Sequence, residues 1–159
     1  MATWFEDLAI GRKECSDTYL VTREEAIDFA RRYDPQPFHL DDDAAAANPL
    51  FGRLVASGWH TAAIAMRLTV ELWARHGMQS LGGAGLEELV WPKPVYPGDT
   101  LRLELEVIGA RPLRSWPGVG MVKVLTVVLN QHDEPVMRQV ANVMVGCRPV
   151  EDQGTGDDR

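Results

Sequence analysis

The chain is short of cysteine, of long apolar runs and of positive charge, and each shortage excludes a class of protein. Two cysteines among 159 residues, Cys15 and Cys147, cannot build the stapled framework of a small secreted domain; they are expected as reduced, partly buried thiols of a cytoplasmic protein. No stretch reaches the roughly 18 apolar residues of a transmembrane helix, so no membrane partner is expected. The opening Met1-Ala2-Thr3-Trp4-Phe5-Glu6-Asp7 has no basic stretch followed by an apolar one and does not read as a secretory leader. A net charge of −7 disfavours nucleic acid and anionic membranes as partners, yet leaves room for a phosphorylated small ligand, which needs only a few local arginines or lysines. The histidines and cysteines have no metal-ligand spacing, so no metal is expected. Gly82-Gly83-Ala84-Gly85 lies in no strand–helix–strand unit and is not a dinucleotide fingerprint; it reads as a loop or strand entrance. Internal repeats are absent.

Hydrophobic residues make up 45% of the chain, which predicts one globular domain over 1–150 followed by a polar, acidic and disordered tail over 151–159. Thr22 with Glu25 is a capping box opening a helix whose apolar face carries Ala26, Ala30 and Tyr33, joined by Ile27 and Phe29. Asp28, Arg31 and Arg32 lie on its other side, and Pro35 stops it. A short helix with Asp41, Asp42 and Asp43 as its solvated start and Ala44–Ala47 as its body ends at Asn48-Pro49. From Trp59 to Arg75 the only formal charges are Arg67, Glu71 and Arg75, spaced by four as an ion-pair ladder, so this helix is largely buried; Ser57 caps it and Gly77 ends it. Strands are predicted over Cys15–Val21, Leu86–Trp91, Leu101–Val107, Val119–Leu129 and Val136–Cys147, with strict apolar alternation in the third and a turn at Pro97–Thr100. Strands that follow a buried helix without alternating βα units predict an antiparallel α+β fold, its sheet curved around that helix.

One short segment carries chemistry. Asp34-Pro35-Gln36-Pro37-Phe38-His39 sets a carboxylate and an imidazole five positions apart in a loop stiffened by two prolines. General acid–base catalysis needs such a pair held before the proton moves. Ser57 reads as a helix cap rather than a nucleophile, and Gly58 lets a group approach the backbone at a helix start. His60 reads as a satisfied core histidine, and Trp59, Trp73 and Trp91 as core or dimer contacts.

The stretch Thr22–Asp41 resembles the hydratase motif of the MaoC-like dehydratases, the R-specific enoyl-CoA hydratases. In that family a helix leads into Asp-x-Asn-Pro-aliphatic-His; here stand Asp34, Gln36 for the Asn, Pro37, Phe38 for the aliphatic residue, and His39. Gly58 and the turn from Pro94 to Leu101 match as well, and the resemblance spans about residues 5–148. It implies a hot-dog fold, a long central helix wrapped by a five-stranded antiparallel sheet. It also implies a homodimer whose two sheets continue into one, with the acyl-CoA site at the subunit boundary. The implied activity is reversible addition of water to trans-2-enoyl-CoA, giving the 3R-hydroxyacyl thioester. No cofactor is implied beyond the coenzyme A of the substrate, and acyl carrier protein is the alternative carrier. Asp34 and His39 would handle water and protons, the Gly58 N–H would stabilise the thioester oxygen, and Gln36, Phe38, Ser57 and Gly83 would contact substrate. Two other functions fit the same fold. An acyl-CoA thioesterase would need an acid or nucleophile on the first turns of the central helix, where Trp59–Met66 carry no carboxylate. A non-catalytic acyl-thioester-binding module would leave Asp34 and His39 without a role.

Overall fold

The alternation of Leu101, Leu103, Leu105 and Val107 puts four side chains on one face of a strand, all of them buried, and that face closes over a helix. The structure is a computed structural model that describes residues 1–150; the acidic tail expected over 151–159 lies outside them. Chain order is β1 (Lys13–Cys15), β2 (Tyr19–Leu20), α1 (Arg23–Tyr33), α2 (Asp42–Ala47), α3 (Gly58–Arg75), β3 (Ser80–Val90), β4 (Thr100–Pro112), β5 (Val119–Leu129) and β6 (Pro135–Gly146), with single 3-10 turns at Phe5–Asp7 and Pro37–His39. The sheet runs β1-β4-β5-β6-β3, antiparallel throughout, and β2 is a further short partner of β4. The five-stranded path and the helix packed on it are the α+β, hot-dog arrangement expected above. Ile64, Ala65, Leu68 and Leu72 of α3 meet Val122, Val124, Val143 and Val145 of β5 and β6 in one core.

Local chemistry sets the element ends. Thr22 accepts the Glu25 N–H at 3.2 Å, so half of the predicted capping box forms; the Glu25 carboxylate instead takes the Tyr19 hydroxyl. Gly77 ends α3 at φ 63°, and a Cβ there would lie 2.6 Å from the Met1 carbonyl oxygen, so glycine is required twice over. The expected charge ladder splits: Arg67 pairs with Glu71 at 2.9 Å, whereas Arg75 reaches Asp17 at 3.0 Å.

Three strand readings need correcting, the first being that the strand expected over Leu101–Val107 runs on to Pro112, paired with β5 as far as Gly120. The segment expected as one strand over Cys15–Val21 is two, because the Ser16 hydroxyl accepts the Leu103 N–H at 2.9 Å and takes the ladder's place. The strand expected from Leu86 begins at Ser80, so the glycine run is strand rather than loop; register shifts between Ser80 and Gly82 and between Gly83 and Gly85 absorb it. The central helix is also not covered all round. Trp59, Met66 and Val70 are exposed beside β3, whose ladder has a neighbour on one side only, β6.

Candidate active site

Proline chemistry brings the acid to the imidazole. Asp34 ends α1, its N–H still bonded to Ala30 O at 2.9 Å, while Pro35 blocks a further turn. Pro37 then opens a single tight turn, with His39 N–H on Gln36 O at 3.0 Å, and the turn swings the imidazole back towards Asp34. The extended segment 54–57 is stitched alongside: Val55 N–H meets Phe38 O at 3.4 Å and Ala56 N–H meets Val95 O at 2.8 Å. Its next residue, Ser57, is the N-cap of α3.

His39 is 6% exposed, and its Nε2 lies 3.2 Å from Asp34 Oδ2. The other ring nitrogen, Nδ1, is 2.7 Å from the Val55 carbonyl oxygen, an acceptor only, so Nδ1 carries a hydrogen. Nε2 therefore faces the Asp34 carboxylate across the 3.2 Å gap, with the ring held in that orientation by the Val55 carbonyl. Ser57, fully buried, donates its hydroxyl to Asp34 Oδ2 at 2.7 Å and accepts the Trp59 N–H at 3.2 Å. Gln36 Nε2 donates to Asp34 Oδ1 at 2.8 Å. Burial alone would push the Asp34 carboxyl up; hydrogen bonds from Ser57 and Gln36 and the charge of His39 outweigh it and hold the group below its ordinary value. Gln36→Ala therefore raises the Asp34 pKa and Ser57→Ala raises it further, which a carboxyl carbon NMR titration checks.

The resulting pocket is lined by Asp34, Gln36, Phe38, His39, Gly58 and Trp59 among the residues read from sequence. Phe38 packs edge-on against His39, ring centres 4.5 Å apart. The Gly58 N–H opens α3 and finds no acceptor among the described residues, as expected of the first turn of a helix. A Cβ on Gly58 would lie 2.7 Å from Cε2 of Trp91, so the residue nearest that space is an indole. Gly83 is not brought into this pocket; it lies on β3 in a separate apolar groove beside α3, which shares only Trp59 with it. Ser57 backs Asp34 and does not line the pocket. Sequence reasoning missed Phe51, Trp91 and Lys93 as pocket residues and the Val55 carbonyl as the group that orients His39. Backbone carbonyls leave no mark in a sequence; Trp91 could have been found from its position just before the Pro92–Pro94 break.

His60 departs from the expectation of a satisfied core histidine. It is 3% exposed and stacks on Phe29 with ring centres 4.9 Å apart, but its Nδ1 has no hydrogen-bond partner among the described residues and its Nε2 stays 3.8 Å from Glu25 Oε1. Burial pulls its pKa below the ordinary 6.5, against the attraction of Glu25. On acidification the unfolded chain takes up this proton first, so stability is lost as pH falls through about 6.5 towards the lower folded value. The carboxyls of Glu6, Asp34, Asp42, Glu87 and Glu134 are held below their ordinary values, so what they contribute begins to be lost only below about pH 4.5. The Tm is thus expected to fall as pH drops below about 6.5, and His60→Gln flattens that limb in a thermal-melt series.

Among the described residues no cluster of three His, Cys, Asp or Glu side chains could hold a metal, no helix is long and apolar enough to cross a membrane, and both cysteines are free. A central helix packed on an antiparallel sheet, with its N-terminal end beside a carboxylate–imidazole pair, is the arrangement of a hot-dog protein. The chain belongs to the MaoC like domain family, which matches residues 8–128. It is 41% identical to the MaoC-like dehydratase from Rhodospirillum rubrum, covering 94% of this chain and 100% of that one with a TM-score of 0.83. It is 26% identical to the R-hydratase PhaJ1 from Pseudomonas aeruginosa, covering 91% of this chain and 86% of that one with a TM-score of 0.69. It is also 33% identical over 99 residues to 3-hydroxyacyl-thioester dehydratase Z of Mycobacterium tuberculosis, which is 62% of this chain and 65% of that protein.

Proposed function

We propose that this protein hydrates trans-2-enoyl thioesters reversibly to 3R-hydroxyacyl thioesters, using Asp34 and His39 as one acid–base unit. The observation that carries this reading is the Asp34 Oδ2 to His39 Nε2 approach of 3.2 Å, in a pocket lined by both residues and by Gly58 at the start of α3. Such a pair starts with one proton. It takes one from water as oxygen bonds to C3, and delivers one to C2, so that its charge is restored at the end of the cycle. Which group gives and which takes belongs to the coupled pair rather than to either residue. Negative charge gathers meanwhile on the thioester oxygen. The Gly58 N–H stabilises it by a direct hydrogen bond and by the dipole of α3, and such a donor is typically worth about 2.7–4 kcal/mol of barrier. Gln36, holding Asp34 Oδ1, keeps the carboxylate's second oxygen from turning away.

The R-hydratase and hydroxyacyl-thioester dehydratase relatives support this reaction class. A thioesterase is disfavoured because the pocket-facing start of α3 offers Gly58, Trp59 and Thr61, none of them an acid. The working unit is a homodimer. The exposed Trp59, Met66 and Val70, beside a β3 paired on one side only, leave an apolar groove suited to a second copy. The test is the purified chain with crotonyl-CoA. Loss of enoyl absorbance without release of free thiol, and a product of 3R configuration, is the expected result. Thiol release from saturated acyl-CoA with enoyl absorbance unchanged would refute it.

A further inference from the structure

We propose that Arg53, which stands outside the lining of this pocket but between its residues Phe51 and Val55 in the chain, takes a phosphate of the carrier to which the acyl group is joined; this rests on the reading of the site as one for acyl thioesters. Arg53 is exposed, with its guanidinium carbon 3.8 Å from the ring centre of Tyr96. The plane is therefore held, yet its N–H groups meet neither a carboxylate nor a carbonyl among the described residues. A guanidinium fixed on an aromatic face with its fork of donors unused is prepared for a tetrahedral oxyanion.

Its position ties it to the catalytic pair. Tyr96 donates its hydroxyl to the Phe51 carbonyl at 3.1 Å, the Phe51 ring sits 5.4 Å from Phe38, and Phe38 sits 4.5 Å from His39. Two residues beyond Arg53, the Val55 carbonyl orients His39, a chain span of at most about 7 Å between α-carbons. Lys93, the cation that lines the pocket itself, is already paired with Glu134. In a chain of net charge −7, a ligand bearing phosphate needs a local cation that is not already neutralised, and Arg53 supplies it. Its exposure assigns it to the carrier end, which leaves towards solvent, rather than to the acyl end at the catalytic pair.

The experiment compares crotonyl thioesters of coenzyme A, of 4′-phosphopantetheine and of N-acetylcysteamine, which has no phosphate, on wild type and Arg53→Ala. The expected result is a roughly tenfold rise in KM for the coenzyme A thioester with kcat retained, and no change with the N-acetylcysteamine thioester. The phosphopantetheine arm separates the phosphate shared by both carriers from those unique to coenzyme A; dependence in either supports the assignment. Added salt raises the wild-type KM for the coenzyme A thioester and moves that of Arg53→Ala less. Arg53→Lys keeps part of the effect, and Tyr96→Leu, which removes the supporting ring, loses part of it. Equal changes with all three thioesters, or none with any, would overturn the proposal. So would an Arg53 dependence confined to an N-acetylcysteamine thioester whose acyl group bears a carboxylate. Should wild type hydrate none of them, the hydratase reading fails by itself. Calorimetric titration with free coenzyme A then decides the role of Arg53: weaker binding by Arg53→Ala supports it, and equal binding or none overturns it.

Discussion

Asp34→Asn and His39→Gln each lower the kcat of enoyl-thioester hydration by about 100- to 10,000-fold, the range supplied by a positioned acid–base group. Asparagine keeps the shape of Asp34, and its amide oxygen can still accept from Ser57 or Gln36, so the fold is spared. The neutral amide cannot accept a proton beside His39 Nε2, 3.2 Å from the carboxylate it replaces. Glutamine at 39 can still reach the Val55 carbonyl with its amide, but no ring nitrogen then faces Asp34. Because the two side chains form one unit, the double variant is expected to be little worse than either single one. Single-turnover absorbance traces measure the rate, and circular dichroism with a thermal melt checks that the fold is intact. Wild-type turnover in both variants would refute the assignment of the pair.

Much of this arrangement was legible because it is built from local rules. The period-two alternation from Leu101 to Val107 fixed a half-buried strand, and the near absence of charge from Trp59 to Arg75 marked the helix it covers. The Pro-x-Pro spacing between Asp34 and His39 marked a loop too stiff to wander. What stayed hidden depended on contacts between distant segments. The Val55 carbonyl under His39 and the Trp91 indole over Gly58 come from residues 16 and 33 positions away in sequence. The glycine run at 82–85 reads as a loop or a strand entrance by composition; pairing with β6 makes it the opening of β3, and bulges take up the misfit. His60 was misread for a related reason: apolar surroundings foretell burial, but whether a buried nitrogen finds a partner depends on how α1 sits against α3.

Gly58→Ala is expected to separate activity from stability. In a helix the exchange of glycine for alanine is worth about 0.5–1 kcal/mol of backbone entropy, so the fold gains slightly or breaks even. The new Cβ, however, would lie 2.7 Å from Cε2 and 2.9 Å from Cδ2 of Trp91, closer than side chains pack, so the indole must move. Trp91 is 39% exposed and rests edge-on against Trp59 at 5.3 Å, so it can swing outward without opening the core. Both rings line the pocket, and a displacement of about 1 Å in a substrate-positioning group can cost on the order of 100-fold in rate. A fall in kcat/KM of about 10- to 100-fold at unchanged Tm is therefore expected. The double variant Gly58→Ala/Trp91→Ala identifies the cause. If the loss comes from the displaced indole, removing the indole restores part of kcat, because the backbone N–H is still there. If the methyl group itself obstructs the thioester, the double variant stays as slow as Gly58→Ala. Full activity in Gly58→Ala alone would mean that neither crowding matters, and that glycine at this helix start is not needed for catalysis.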